Sequence, residues 1–166
     1  FPEHESLHHD SCDCDACQSG GMVRKPFPKR TAQKFTYFGE KLSSDLCGPF
    51  PKAIGGYTYA LVIVDACTNI AYVHYMQSKS SAEVKEGLQA FLTRYKAYLP
   101  TDKVVRWHTD NGGEFMSDDL DAFCDEFALR RSFSIPYSPP TNAHAERMWG
   151  ILLRIMRTTM IHSGIH

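Results

Sequence analysis

The chain has no apolar run near the ~20 residues that a membrane-spanning helix needs; its longest runs only from Tyr59 to Val64. It also lacks the basic flank and apolar stretch of a secretory leader, since Phe1 leads directly into Pro2, Glu3 and His4. An opening without Met reads as a piece of a longer polypeptide. There is no charge excess either: 18 Lys and Arg face 19 Asp and Glu, a net charge of −1. Composition alone therefore does not name a nucleic-acid binder, and any such role must rest on local charge. Glycine and proline, 11 and 9 of 166 residues, are ordinary, and aromatics are plentiful at 12%. Collagen-like structure and wholesale disorder are excluded. Internal repeats and low-complexity tracts are absent. What is left is one domain's worth of globular protein, long enough to bury a core and too short for two full domains.

Of six cysteines, Cys47, Cys67 and Cys124 stand singly among apolar neighbours. That pattern suits buried thiols in a reducing compartment better than a disulfide framework. The others join histidines in an amino-terminal cluster, His4, His8, His9, Cys12, Cys14 and Cys17. A basic stretch follows from Arg24 to Lys34, in which Pro26 and Pro28 forbid a helix and imply an extended linker. The compact domain is expected to begin near Phe38, giving a tail at 1–37 and a core at 38–166.

Within the core, Lys41 to Cys47 alternates, with Leu42, Ser44 and Leu46 on one face and Ser43, Asp45 and Cys47 on the other. This predicts a strand. Tyr57 to Ala66 and Ile70 to Met76, rich in Tyr, Val and Ile, read as a hairpin across Thr68-Asn69. Apolar residues at helical spacing from Ala82 to Tyr98, stopped by Pro100, predict a helix. Val104 to His108 reads as a fourth strand, Ser117 to about Phe127 as a helix with acids at its positive end, and Leu129 to Ile135 as a fifth strand. A proline-rich loop at 136–140 leads into a long helix from about Thr141 to Met160. The order is βββαβαβα.

Three acids fall where secondary structure changes: Asp45 on the first strand, Asp110 just past the fourth, and Glu146 in the first turns of the long helix, with 35 residues between the last two. If strands one and four are neighbours, the two aspartates project from adjacent strand ends and the helix brings in the glutamate. Carboxylate oxygens suit magnesium or manganese, and two such ions can bind the attacking and leaving oxygens of a phosphodiester. Taken singly, Asp110 also fits an ordinary Asp-Asn-Gly-Gly turn and Glu146 a solvated helix face. At ~100° per residue, Glu146, Arg147, Gly150, Arg154, Arg157 and Thr158 share one polar arc of the last helix. One carboxylate followed by three arginines reads as a track for phosphates. Pairing of those arginines with the acids at 118, 119, 121 and 125 is the alternative. His74, His108, Asp65, Trp107 and Trp149 read as structural, and the acids at 118–126 as a solvated face.

These residues resemble the catalytic core of retroviral and LTR-retrotransposon integrases, most closely the copia-like branch. The likeness is carried by Ser44-Asp45-Leu46-Cys47-Gly48-Pro49, by Val62-Ile63-Val64-Asp65 with Lys79-Ser80, and by Thr109-Asp110-Asn111-Gly112-Gly113-Glu114-Phe115. Pro136-Tyr137-Ser138-Pro139, leading through Asn142 to Ala145-Glu146-Arg147, completes it. The resemblance implies an α/β, RNase H-like fold with a mixed five-stranded sheet flanked by helices. It implies DDE-type polynucleotidyl transfer, in which Asp45, Asp110 and Glu146 hold two magnesium (or manganese) ions. Asn111, Thr141 and Asn142, with the track Arg147, Arg154 and Arg157, are the implied DNA contacts. Two departures stand out: Ser43 where relatives usually carry histidine, and Thr141-Asn142-Ala143 where they carry Gln-Asn-Gly.

The resemblance also assigns Cys14 and Cys17 to a zinc (Zn2+) module whose histidines, in the family, lie a few tens of residues upstream. His4, His8 and His9 are too close to be those counterparts, so the pair reads as half of a severed site, as part of an adventitious four-ligand site completed by Cys12, His8 or His9, or as two unliganded thiols. The implied partners are element-end and target DNA and further copies of the chain, with no membrane. The implied setting is a polyprotein made in the cytoplasm, not secreted, whose product acts in the nucleus. The rival functions are an RNase H-like nuclease that only hydrolyses, and an inactive relic that binds nucleic acid or protein.

Overall fold

A computed structural model describes residues 34–101, 103, 105–134 and 142–164. Five strands, β1 (Leu42–Cys47), β2 (Tyr59–Asp65), β3 (Ala71–Met76), β4 (Val105–Thr109) and β5 (Leu129–Phe133), alternate with three helices, α1 (Ser81–Tyr95), α2 (Asp118–Glu126) and α3 (Ala143–Ser163). The observed order is the βββαβαβα read from the sequence. The expected single helix to Tyr98 is α1 followed by a 3-10 turn at Lys96–Tyr98. β5 ends at Phe133, short of Ile135, which lies outside the described residues.

The sheet runs β3-β2-β1-β4-β5. β1, β2 and β3 form an antiparallel meander, and β4 and β5 are parallel over five residue pairs. β1 and β4 pair only at Leu42↔Trp107 and Ser43↔His108. Asp45 lies two residues beyond Ser43 on β1, and Asp110 two residues beyond His108 on the β4 side.

β2 explains why the sheet is covered on both faces. Its continuous apolar run leaves no polar side to show to water. Leu61 and Ile63 join Val84, Leu88 and Phe91 of α1, with Trp107, Phe115 and Leu120, in the larger core. Ala60, Val62 and Val64 point the other way, onto Ala145 and Trp149 of α3. Register carries this alternation to β1: Asp45 pairs with Val62 and Ser44 with Ile63, so Asp45 lies on the α3 face and Ser44 on the opposite one.

Caps start the first two helices as read. The Ser80 hydroxyl accepts from the Glu83 N–H, and Ser117 from the Leu120 N–H. Trp107 and Trp149 are core residues and His108 is bonded between Ser132 and Ser134, as expected. Asp65 is fully buried, accepting from the Gly39 and Thr68 N–H groups and the Thr68 hydroxyl. Of the three lone cysteines only Cys124 is buried; Cys47 and Cys67 are half-buried at strand ends. No helix of the described residues is long and apolar enough to cross a membrane.

Candidate active site

Asp45 is half-buried near the end of β1, and its Oδ1 accepts the Leu46 N–H at 2.9 Å. Asp110 follows β4 directly, and its Oδ1 accepts the Gly112 N–H at 3.0 Å, closing a tight turn. The next residues form a 3-10 turn at Gly113–Phe115. Asn111 secures this loop to the end of β5: its amide Nδ2 donates to the Ser134 carbonyl at 3.0 Å, and the Ser134 N–H donates to the Thr109 carbonyl at 2.9 Å. Glu146 is exposed in the first turn of α3.

Electrostatics joins these elements. The Asp45 carboxyl is pushed up from 3.8 to about 6, first by burial and then by the charge of Asp110, with Glu146 and Glu114 adding to it. The charges of Asp110, Glu146 and Glu114 are thus all felt at Asp45. Glu114 is a fourth member that sequence reasoning did not single out. It is 7% exposed, its Oε1 lies 3.2 Å from Lys79 Nζ, and a Cβ on Gly112 would come within 2.8 Å of its carboxyl group. Its only signal was its place in Asp110-Asn111-Gly112-Gly113-Glu114-Phe115, where the carboxylate's burial is not legible.

Hard oxygen donors that repel one another at a half-buried position fit a divalent cation, whose charge would relieve the repulsion. Asp45 and Asp110 are the pair this describes best, and Glu146 adds a smaller repulsion from the helix. Among the described residues no three His, Cys, Asp or Glu side chains are already gathered around one point closely enough to enclose an ion. Beside Glu146, His144 has its pKa lowered by burial and by the charges of Lys41 and Arg147. The imidazole is therefore neutral at pH 7.

The expected DNA contacts divide. Arg147, Arg154 and Arg157 are exposed, and among the described residues none of them forms an ion pair. Of the acids named as alternative partners, Asp119 is paired with Lys85 and Asp121 with Arg131. Asn142 differs from its expected place on a DNA-facing loop. It is 4% exposed, and its Nδ2 donates to the Ser44 carbonyl at 2.9 Å. Its side chain ties α3 to β1 because it begins the helix on the face that packs against the sheet. Thr141, Cys14 and Cys17 lie outside the described residues.

A family model described as the integrase core domain matches residues 38–139, more than half of the chain. The Retrovirus-related Pol polyprotein from transposon TNT 1-94 of Nicotiana tabacum is 26% identical over 149 residues, 89% of this chain and 11% of that protein. The Pro-Pol polyprotein of Feline foamy virus is 27% identical over 135 residues, 81% and 11% respectively. The chain thus spans about a ninth of the length of these relatives. Among solved structures, a chain of the simian T-cell lymphotropic virus intasome superposes with a TM-score of 0.73 over 92% of this chain and 52% of that one, at 20% identity. The catalytic core domain of BIV integrase superposes with a TM-score of 0.50 over 66% and 63%, at 16% identity. The sheet order, the layers and these superpositions give the chain the RNase H-like fold, and with residues 38–139 matched, it belongs to the integrase core domain family.

Proposed function

We propose that this chain is the catalytic core of a DDE-type integrase from a copia-like element, cleaving phosphodiesters and joining element ends to target DNA. The observation that carries the reading is the convergence of charge from Asp110 and Glu146 on the half-buried Asp45. Asp45, Asp110 and Glu146 would hold two magnesium or manganese ions. Bound there, the metal supplies the charge that activates a water or a 3′-hydroxyl for in-line attack and stabilises the leaving oxygen. The chain's own residues prepare that site. The Leu46 N–H orients Asp45, and the Gly112 N–H orients Asp110. With a pKa of about 6, Asp45 is mostly ionised at neutral pH and ready to act as a ligand. Asn111 steadies the loop beside it, while Arg147, Arg154 and Arg157 give exposed positive charge for the DNA backbone.

The parent polyprotein, assembly with further copies, action in the nucleus and a zinc module around Cys14 and Cys17 complete the proposal. A strand-transfer assay with labelled element ends tests it. Products joined to target DNA are expected with Mg2+, and Asp110→Asn is expected to abolish them while leaving the fold intact, because it removes a ligand and not a packing group. Transfer undiminished in that variant would sink the mechanism, and cleavage without joined product would move the assignment to a hydrolytic nuclease.

A further inference from the structure

The start of α3 is fastened to β1 by two side-chain donors on consecutive carbonyls. Asn142 Nδ2 donates to the carbonyl of Ser44 at 2.9 Å, and Trp149 Nε1 to the carbonyl of Asp45 at 3.3 Å. Both bonds fall just beyond Ser43, the last residue of β1 paired with β4. Asn142, Ala145 and Trp149 lie at i, i+3 and i+7, the spacing of one helix face. Ala145, with no exposed surface, allows close approach between the two donors. Glu146 stands on the turn that they bracket.

The Asn142 amide is placed for this bond. A carbonyl accepts only from a donor, so Nδ2 must face Ser44. Its Oδ1 is buried with no partner among the described residues, a cost of roughly 1–3 kcal/mol that solvent exposure would avoid. Trp149 likewise aims its one polar atom at Asp45 while its ring fills the core beneath α3.

We infer that Asn142 and Trp149 are positioning residues that lock the rotation and height of α3 on β1, and so set the placement of Glu146 relative to Asp45. This rests on the carboxylate reading above and adds what holds its helix-borne member. A helix without these bonds could turn or ride along the sheet while keeping its apolar face buried, and Glu146, exposed at the rim, would move with it.

Mn2+ titrated into the intact chain, followed by calorimetry, tests the inference. Glu146→Gln is the reference. Asn142→Ala and Trp149→Phe carry the test, and the phenylalanine keeps an aromatic ring in the core if the alanine variant does not fold. Each is expected to weaken Mn2+ binding about tenfold, as loss of a ligand-orienting partner does, and neither should weaken it further once Glu146 is already Gln. Parent-like Mn2+ affinity in the folded variants overturns the inference, as does a loss that adds in full to that of Glu146→Gln. If Glu146→Gln itself binds Mn2+ like the parent, the carboxylate reading fails instead. Amide hydrogen exchange in the first turns of α3 then decides the clamp: faster exchange in the two variants upholds it, and unchanged exchange overturns it.

Discussion

At the scale of single residues, Asp45 holds opposed demands. Its carboxyl is shielded by the sheet and faces other carboxylates, which raises its pKa to about 6. An acid whose pKa is higher folded than unfolded binds its proton more tightly when folded, so the charge costs stability as pH rises through that range. Well below its unfolded pKa of 3.8, toward about pH 3 and under, the residue is neutral in both states and costs nothing. Allowing for solvent screening at a half-open site, the cost above pH 6 is on the order of 1–2 kcal/mol. In metal-free buffer, Asp45→Asn is therefore expected to melt higher than the parent at pH 7 and nearly level with it at about pH 3. Thermal melts across that window check this, and an unchanging gap would place the origin elsewhere. The three acids were legible in the sequence because type and spacing identify them. Glu114 and the buried state of Asn142 were not, because burial is decided by packing between segments distant in sequence.

At the scale of elements, α3 holds most of what is specific to this chain. The helical wheel puts its arginines on one arc, because periodicity depends only on local sequence, and Arg147, Arg154 and Arg157 are exposed. Replacing Arg154 and Arg157 together with Glu is expected to weaken duplex binding without changing sequence preference. The slope of log affinity against log salt should become shallower by about 2, as when two phosphate contacts are lost. Binding isotherms from 50 to 200 mM salt measure this, and an unaltered slope removes the track. Periodicity failed to show how much of the apolar arc is covered. Ile155, Met156 and Met160 are 40–55% exposed. A helix of 21 residues is about 30 Å long, whereas strands of five to seven residues reach only about 17–24 Å, so α3 overhangs the sheet. Beside its second half a cavity of about 530 Å³ opens against Phe50, Tyr57, Val73 and Tyr75. The stop at Tyr95 was similarly hidden, since Pro100 bounds a helix without saying whether its last turn is α or 3-10.

At the scale of the molecule, near-neutral composition conceals segregated charge: exposed arginines along α3, acids on α2, and carboxylates at the strand ends. A divalent ion that binds only the folded form adds stability by mass action. Mg2+ at about a hundred times its dissociation constant is expected to add about 3 kcal/mol, a rise of several degrees in Tm. EDTA should reverse the rise, and Asp110→Asn should not show it. A rise of the same size in that variant would mean that the ion binds elsewhere. The order of elements and the two-faced burial of β2 were open to reading because alternation and an unbroken apolar run determine them. The order of strands in space was not, since the parallel pairing of β1 with β4 joins residues 65 positions apart.

That narrow pairing makes the sheet two plates. One is the antiparallel meander β3-β2-β1, which holds Asp45; the other is β4-β5, whose end is sewn to the Asp110 loop through Ser134. The plates share a seam of two residue pairs, pinned on one face by the 2.7 Å bond from Trp107 Nε1 to Ser44 Oγ. The two aspartates consequently stand on either side of the seam where the antiparallel part of the sheet gives way to the parallel part, each carried by a differently paired strand.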